Sequence, residues 1–298
     1  MRRDIHAYPL KLLTRRKFFG QFLLGASAIA AVGAADTLFV EPRAVVSERV
    51  DVILKRLPRE FHGFRIAQIS DMHFGPYMGR AGLERAVKLV QFFRPDLLAL
   101  TGDFVSHPFG KPNGAEGARF AEPCAEVFST VTGIPVIAIL GNHDHWNNAG
   151  IVEGALQDRG IQVLRNRSIP LERGRSRIWI SGIDDVLAKA ADLGKTLRDV
   201  PPSEATVLLA HEPDFADYAA HFPVDLQLSG HSHGGQVRLP GVGALVLPSM
   251  ATKYPVGLNR VGSLQVYTNR GLGVINPPVR FNCPPEVTFV TLFSGSAV

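Results

Sequence analysis

Cysteine is nearly missing from this chain of 298 residues, with Cys124 and Cys283 its only two. They build no Cys-x-x-Cys pair and no zinc-finger spacing, which excludes thiolate metal sites and dithiol redox chemistry. An oxidising compartment would permit a disulfide between them; two separate small apolar residues is the other reading. Basic runs are missing too. The isoelectric point of about 9.4 invites a nucleic-acid partner, but residues 1–17 hold Arg2, Arg3, Lys11, Arg15, Arg16 and Lys17 against Asp4 alone. That segment carries the entire net charge of +5, leaving 26 basic and 26 acidic residues after Lys17. Basic character therefore belongs to a leader and not to a binding face, and nothing supports nucleic-acid binding. The sequence shows no internal repeat and no linker dividing two domains. Hydrophobic content of 46% with 20% charge is that of an ordinary globular chain.

The leader has a readable layout. Thr14-Arg15-Arg16-Lys17-Phe18-Phe19 is a twin-arginine pair before aromatic residues, and the uncharged stretch 18–35 that follows is rich in Ala and Gly. This is the order of an export signal, and the paired arginines resemble a Tat signal. Small-residue cleavage sites exist at Ala28-Ile29-Ala30 and Val32-Gly33-Ala34. The stretch also reaches the lower length limit of a spanning helix. Residues 1–40 thus read as a signal peptide or an N-terminal membrane anchor. In either case the basic flank stays in the cytoplasm and the rest is exported to the periplasm or cell envelope. The expected partners are the Tat machinery and, if the leader is kept, the membrane.

Residues 45–298 read as one α/β domain. After an edge strand within 41–60, short buried strands are predicted at 64–70, 96–100 and 136–140, and helices at 82–93, 121–131 and 149–159. Residues 105–118, rich in Gly, Pro and Asn, form a surface loop. The second half adds strands at 161–164, 177–183, 206–210, 225–228, 236–239, 244–247, 264–268 and 287–293, with a helix near 188–198. Alternation followed by a strand-rich half suggests mixed sheets.

Five polar clusters follow the apolar runs: Asp71-Met72-His73, Gly102-Asp103, Gly141-Asn142-His143-Asp144, His211, and Gly230-His231-Ser232-His233-Gly234-Gly235. Ligands of open α/β sheets gather beyond the carboxyl ends of the strands, so the clusters would converge on one rim. Carboxylate, amide and imidazole donors suit Mn, Fe, Zn or similar divalent ions. Asp71 and His73, two apart, could share one ion, and the two oxygens of Asp103 suit a bridge. Each piece alone has a bland reading. Asp-x-His and Gly-Asp mark turns, and a lone His211 reads as a hydrogen-bonded core histidine. All five in this order are not a chance assembly.

The pattern resembles the calcineurin-like metallophosphoesterases. Within them it is most similar to a bacterial branch with Gly-His-Ser-His-Gly-Gly-Gln, a tail like Asn269-Arg270-Gly271-Leu272-Gly273, and an N-terminal Tat signal or anchor. The resemblance covers residues 45–298. It implies a four-layer α-β-β-α sandwich of two mixed sheets. It implies a first metal held by Asp71, His73, Asp103 and His233, and a second by Asp103, Asn142, His211 and His231. It also implies a phosphate-ester substrate, attacked in line by a metal-activated hydroxide, and more specifically a phosphodiester. His143, beside a ligand, would give the leaving group a hydrogen bond or proton. Asp144 would orient His143 or cap the turn. Arg270 would reach a substrate phosphate or lie on the surface. His107, His145 and Trp146 are candidates to line the crevice; His6, His62 and His221 match no motif. Two other readings remain open: a pyrophosphohydrolase of a UDP-linked lipid, if the domain is cytoplasmic, and a non-catalytic metal-binding envelope protein.

Overall fold

The computed structural model describes residues 15–106 and 116–295. Helices are α1 (Arg15–Ala35), α2 (Arg80–Phe93), α3 (Ala121–Phe128), α4 (Asn142–Trp146), α5 (Ala149–Asp158), α6 (Leu193–Thr196) and α7 (Ala216–Ala219). Strands β1 (Val46–Leu54), β2 (Phe64–Ile69), β3 (Leu97–Thr101), β4 (Val136–Ile139) and β5 (Gln162–Val163) are followed by β6 (Arg167–Arg173), β7 (Ser176–Gly182), β8 (Thr206–Leu209) and β9 (Leu226–Ser229). The last are β10 (Arg238–Leu239), β11 (Gly243–Ala244), β12 (Gly257–Val261), β13 (Leu264–Thr268) and β14 (Glu286–Ser294).

Two six-stranded sheets carry the domain, ordered β1-β14-β2-β3-β4-β5 and β12-β13-β9-β8-β7-β6. Both are mixed: β2, β3, β4 and β5 run parallel, as do β7, β8, β9 and β13, while β14 against β2 and the edge strands β6 and β12 pair antiparallel. Their central strands are apolar on both faces, because each sheet is covered twice. Ile66, Leu97, Ala99, Ile137 and Ile139 of the first sheet meet Ile178, Ile180, Val207, Leu209, Leu226 and Leu228 of the second. The alternate residues Ala67, Ile69, Leu98, Leu100 and Ala138 turn outward onto α2, α3 and α5. Trp179, Leu208, Leu264 and Val266 turn outward under the α6 and α7 side. The result is the expected four-layer α-β-β-α sandwich.

Helix α2 shows how local sequence sets its element. Leu83, Ala86, Val87 and Val90 recur at helical spacing and are buried on one face. Arg94 ends it in the left-handed conformation, its amide bonding the Val90 carbonyl at 3.0 Å, and Pro95 forbids continuation. Two expectations need correction, and the cysteines take the second of their two readings. Strands β6 and β12 were not predicted: both are half-exposed edges, and β6 contains Pro170, which only an edge tolerates. The helix predicted near 188–198 is the single turn α6, whose N-cap Asp192 accepts from the Lys195 amide at 2.8 Å. Cys124 and Cys283 are free buried thiols and form no disulfide.

No helix among the described residues is long and apolar enough to cross a membrane. His6, His107 and the basic residues before Arg15 lie outside the described residues.

Candidate metal centre

Each cluster leaves the carboxyl end of a parallel strand: Asp71 and His73 after β2, Asp103 after β3, Asn142 after β4, His211 after β8, and His231 with His233 after β9. The two sheet rims are joined directly beneath them. Gln68 on β2 donates across to the Ser229 carbonyl on β9 at 2.9 Å. His211 donates from Nδ1 to the Thr101 carbonyl on β3 at 2.7 Å. Ligand loops from both sheets are therefore brought to one point.

The backbone there is strained. Asp71, His73, Asp103, His231 and His233 all have positive φ, between 45° and 66°. Non-glycine residues enter this region at a cost of about 1–3 kcal/mol each and persist only where the surroundings hold them. Those holds are present. The Asp71 amide bonds the Gly102 carbonyl at 2.9 Å, the His73 amide bonds the Asp103 carbonyl at 3.0 Å, and the Gly273 amide bonds the Asp71 carbonyl at 2.7 Å. Asp144 is the staple between two ligand loops: its carboxylate accepts from the amides of Asp103, Phe104, Val105 and Gly141. Asp144 is thus the turn cap of the two readings.

The side chains converge. His73 Nε2 and His233 Nε2 are 2.9 Å apart. Asp71 Oδ1 lies 3.3 Å from His233 Nε2 and 3.9 Å from His211 Nε2. Asp103 Oδ2 sits between His73 Nε2 at 3.5 Å and His211 Nε2 at 3.2 Å, the place of a bridging oxygen. Among the described residues, three overlapping trios have donor atoms mutually within 4.8 Å: Asp71–His73–His233, Asp71–Asp103–His211 and His73–Asp103–His143. His231 donates Nε2–H to the Ser249 carbonyl at 2.9 Å, which leaves Nδ1 as its lone-pair nitrogen. The Thr101 bond likewise leaves His211 Nε2 with a lone pair. Outer hydrogen bonds of this kind set the tautomer of metal-ligating histidines.

The donor set fits a divalent cation. Asn142 Oδ1 and His211 Nε2 are buried and make no hydrogen bond. Asp71 and Asp103 are buried together, which demands positive charge nearby. Burial raises the Asp71 carboxyl above its usual range. It acts the same way on Asp103, but the imidazoles, His211 foremost, outweigh it and hold that carboxylate well below. Burial, reinforced by His143, keeps His73 neutral; burial, reinforced by Arg280, keeps His233 neutral, the form in which imidazole binds metal.

A cleft of about 480 Å³ opens onto the cluster, lined by Asp103, Asn142, His143, Trp146, His231 and His233 among others. The His143 ring packs edge-on against His73 at 4.6 Å and lies 4.6 Å from Trp146. His145 is not in this lining; it pairs with Asp184 at 2.7 Å. Arg270 is a correction. Its guanidinium is claimed by Glu286 and by Glu48, the latter at 2.5 Å, and it borders a separate pocket with them. Two carboxylates hold it away from any phosphate in the cleft.

Sequence reading missed Arg280. This fully buried arginine donates to the carbonyls of Arg270, Gly271, Gly273 and Cys283, and so clamps the loop that packs on Asp71. A lone arginine among prolines gives no local signal of that role.

Comparison with known proteins follows the same geometry. The sequence matches the family model of the calcineurin-like phosphoesterases over residues 64–235, a span that contains every clustered residue from Asp71 to His233. It is 33% identical to an uncharacterized metallophosphoesterase of Bacillus subtilis over 291 residues, 96% of this chain and 99% of that one. It is 32% identical to a phosphodiesterase of Escherichia coli, covering 77% of this chain and 82% of the other. A relative at 27% identity, covering 89% of this chain and 96% of its own, is a UDP-2,3-diacylglucosamine pyrophosphatase of Chlamydia muridarum. The chain belongs to the calcineurin-like phosphoesterase family and is a metallophosphoesterase, a hydrolase of phosphoric esters.

Proposed function

We propose that the enzyme is a phosphodiesterase with a dinuclear centre, its first metal held by Asp71, His73, Asp103 and His233 and its second by Asp103, Asn142, His211 and His231. The observation that carries this is the placement of Asp103 Oδ2 between His73 Nε2 and His211 Nε2, one oxygen facing imidazoles from both sets. Two bound divalent ions, of the Mn, Fe or Zn type, would supply charge neutralisation at the phosphoryl group and activation of water at neutral pH. The chain's own residues do the rest. His73, His231 and His233 are held neutral by burial, while at His211 burial is outweighed by Asp103 and Asp71, which raise it above its usual range, a proton that a bound cation would displace. His143 borders the cleft and delivers a proton or hydrogen bond to the leaving oxygen. Trp146, 43% exposed at the cleft wall, offers a flat surface to the leaving group. Phosphate affinity comes from the metals, since the domain after Lys17 carries no net charge.

Diester preference is supported by the relative named a phosphodiesterase. The pyrophosphatase relative keeps open a second substrate, the phosphoanhydride of a UDP-linked lipid, for a domain on the cytoplasmic side. The twin arginines Arg15 and Arg16 at the start of α1 instead support Tat-dependent export, to the periplasm or envelope. Protein loaded with Mn²⁺ should cleave bis-p-nitrophenyl phosphate, and Asp103→Asn should abolish turnover and lower bound metal measured by mass spectrometry. Full activity in that variant overturns the dinuclear reading. N-terminal sequencing of the exported protein decides between cleavage and anchoring.

A further inference from the structure

The hairpin of β10 and β11 follows the ligand loop directly, and its side chains face solvent. Residues 239–251 read Leu-Pro-Gly-Val-Gly-Ala-Leu-Val-Leu-Pro-Ser-Met-Ala, without one charge, between Arg238 and Lys253. Val242 and Val246 are 72% and 75% exposed, Leu245 56% and Leu239 38%. Single exposed aliphatic residues are ordinary, but four within eight positions on one hairpin form a patch that seeks a cover. The hairpin is well rooted. The Arg238 amide bonds the Phe281 carbonyl at 2.9 Å, and the Leu245 amide bonds the Val237 carbonyl at 3.2 Å. Its C-terminal end becomes the cleft wall: Pro248 and Ser249 line the cleft, and Ser249 accepts the hydrogen bond of His231.

A second apolar element is tied to the same root. Leu38, Phe39 and Val40, just after α1, are exposed at 42%, 62% and 58%. The Arg280 amide bonds the Thr37 carbonyl at 3.1 Å, and the Glu41 carboxylate accepts from the amides of Asn282 and Cys283. Asn282 in turn donates to the Arg238 carbonyl at 3.4 Å. One loop, 280–283, thus carries two exposed apolar elements that are distant in sequence and different in backbone form. Residues 239–247 carry no polar side chain at all, unlike the polar rim of a specific protein interface. Arg238 and Lys253 bound the first element in sequence; the second lies between Asp36 and Glu41, with Arg43 following. Apolar insertion with a basic flank is the chemistry of a lipid bilayer surface.

We propose that the β10–β11 hairpin is a membrane-docking element: Val242, Leu245 and Val246 insert into a phospholipid bilayer and hold the metal cleft against the head groups, so that the diesters presented to it are those of membrane lipids. The substrate class rests on the phosphodiesterase reading; the docking itself does not.

The test uses the full chain with an environment-sensitive fluorophore on Val246→Cys, the native thiols being buried. Arg175→Cys is the control, in the exposed turn between β6 and β7 at the opposite end of the sheet from the ligand loops. Vesicles of phosphatidylethanolamine and phosphatidylglycerol should shift the Val246 label to the blue, also at high salt, and leave the Arg175 label unchanged. An unshifted Val246 label overturns the proposal, whether or not the vesicles retain the protein through its N-terminus. In a second arm, Val242→Asp with Val246→Asp should lower hydrolysis of a vesicle-embedded phosphodiester about 100-fold, from the lost burial of two valines. Hydrolysis of soluble bis-p-nitrophenyl phosphate should be unchanged. An equal loss on both substrates overturns the docking role. Inactivity of the parent on both substrates, with the label still shifted, overturns only the phosphodiesterase reading.

Discussion

Gly230→Ala probes how closely the backbone is packed on a ligand. The Gly230 φ lies outside the left-handed region, so alanine adopts the same backbone. Its added Cβ, however, would fall far inside contact distance of Ser70 Oγ and the Asp71 carboxylate. Asp71 has little room to retreat. Gly271 already sits against its Cβ, and Gly273 sits against the Met72 and Asp71 carbonyls. Restoring ordinary contact requires the carboxylate to move by roughly 1 Å, whereas metal–ligand distances tolerate about 0.2 Å. Overpacking of this kind costs about 1–3 kcal/mol, and at about 2–4 °C per kcal/mol the melting temperature should fall by about 2–12 °C. A displaced ligand should cost much more in function than in stability, about 100-fold in kcat/KM. Metal content after gel filtration, thermal unfolding and bis-p-nitrophenyl phosphate kinetics read the three effects. Gly154→Ala, in α5 with open space at its Cβ, is the control and should match or slightly exceed the parent in stability. Wild-type metal content and kcat/KM in Gly230→Ala would refute the reasoning, because Asp71 could then not depend on the missing Cβ.

His143→Ala should lower kcat by about 10²–10⁴-fold while metal content is retained, with a smaller loss on p-nitrophenyl esters than on alkyl diesters, whose leaving groups need the proton more. Loss of metal along with activity would make His143 a ligand, as its trio with His73 and Asp103 permits. Asp184→Asn should cost stability in a pH-dependent way. Burial favours a protonated Asp184, but the hydrogen bonds from His145 and Arg165 outweigh it and set the carboxyl at about 2, below its usual 3.8. The Asp184 contribution is therefore present above 3.8 and lost as pH falls through about 2. His145 is raised above 6.5 because its bond to Asp184 outweighs burial, so its contribution is present below 6.5 and lost as pH rises through the higher folded value. The difference from the parent in urea unfolding should reach about 1–2 kcal/mol between pH 4 and 6.5. A difference independent of pH would contradict the assignment.

Much of the fold was legible because its signals are local. Strands β2, β3, β4, β8 and β9 are short and mostly apolar, and α2 shows its period in Leu83, Ala86, Val87 and Val90. Strands β6 and β12 were not, because half-exposed edge strands alternate weakly, and Pro170 argues against a strand until its edge position is known. The site divides along the same line.

The sequence by itself determined the kind of chemistry. Carboxylate, amide and imidazole donors stand after apolar runs in a fixed order, and a strand end is a property of the local chain. Only the tertiary structure decided how the donors act. The choice of the His211 nitrogen depends on a carbonyl 110 residues away, on Thr101 of the other sheet. The left-handed backbone at Asp71, His73, Asp103, His231 and His233 suits Asp and His better than most side chains, but it is bonds between loops that hold it there. Arg270, which looks free to meet a phosphate, is captured by Glu48, 222 residues away, while Arg280, which looks incidental, anchors the loop behind Asp71. Hydrogen-bond partners and ion pairs are chosen by proximity in space, and that is settled only when the two sheets close on each other.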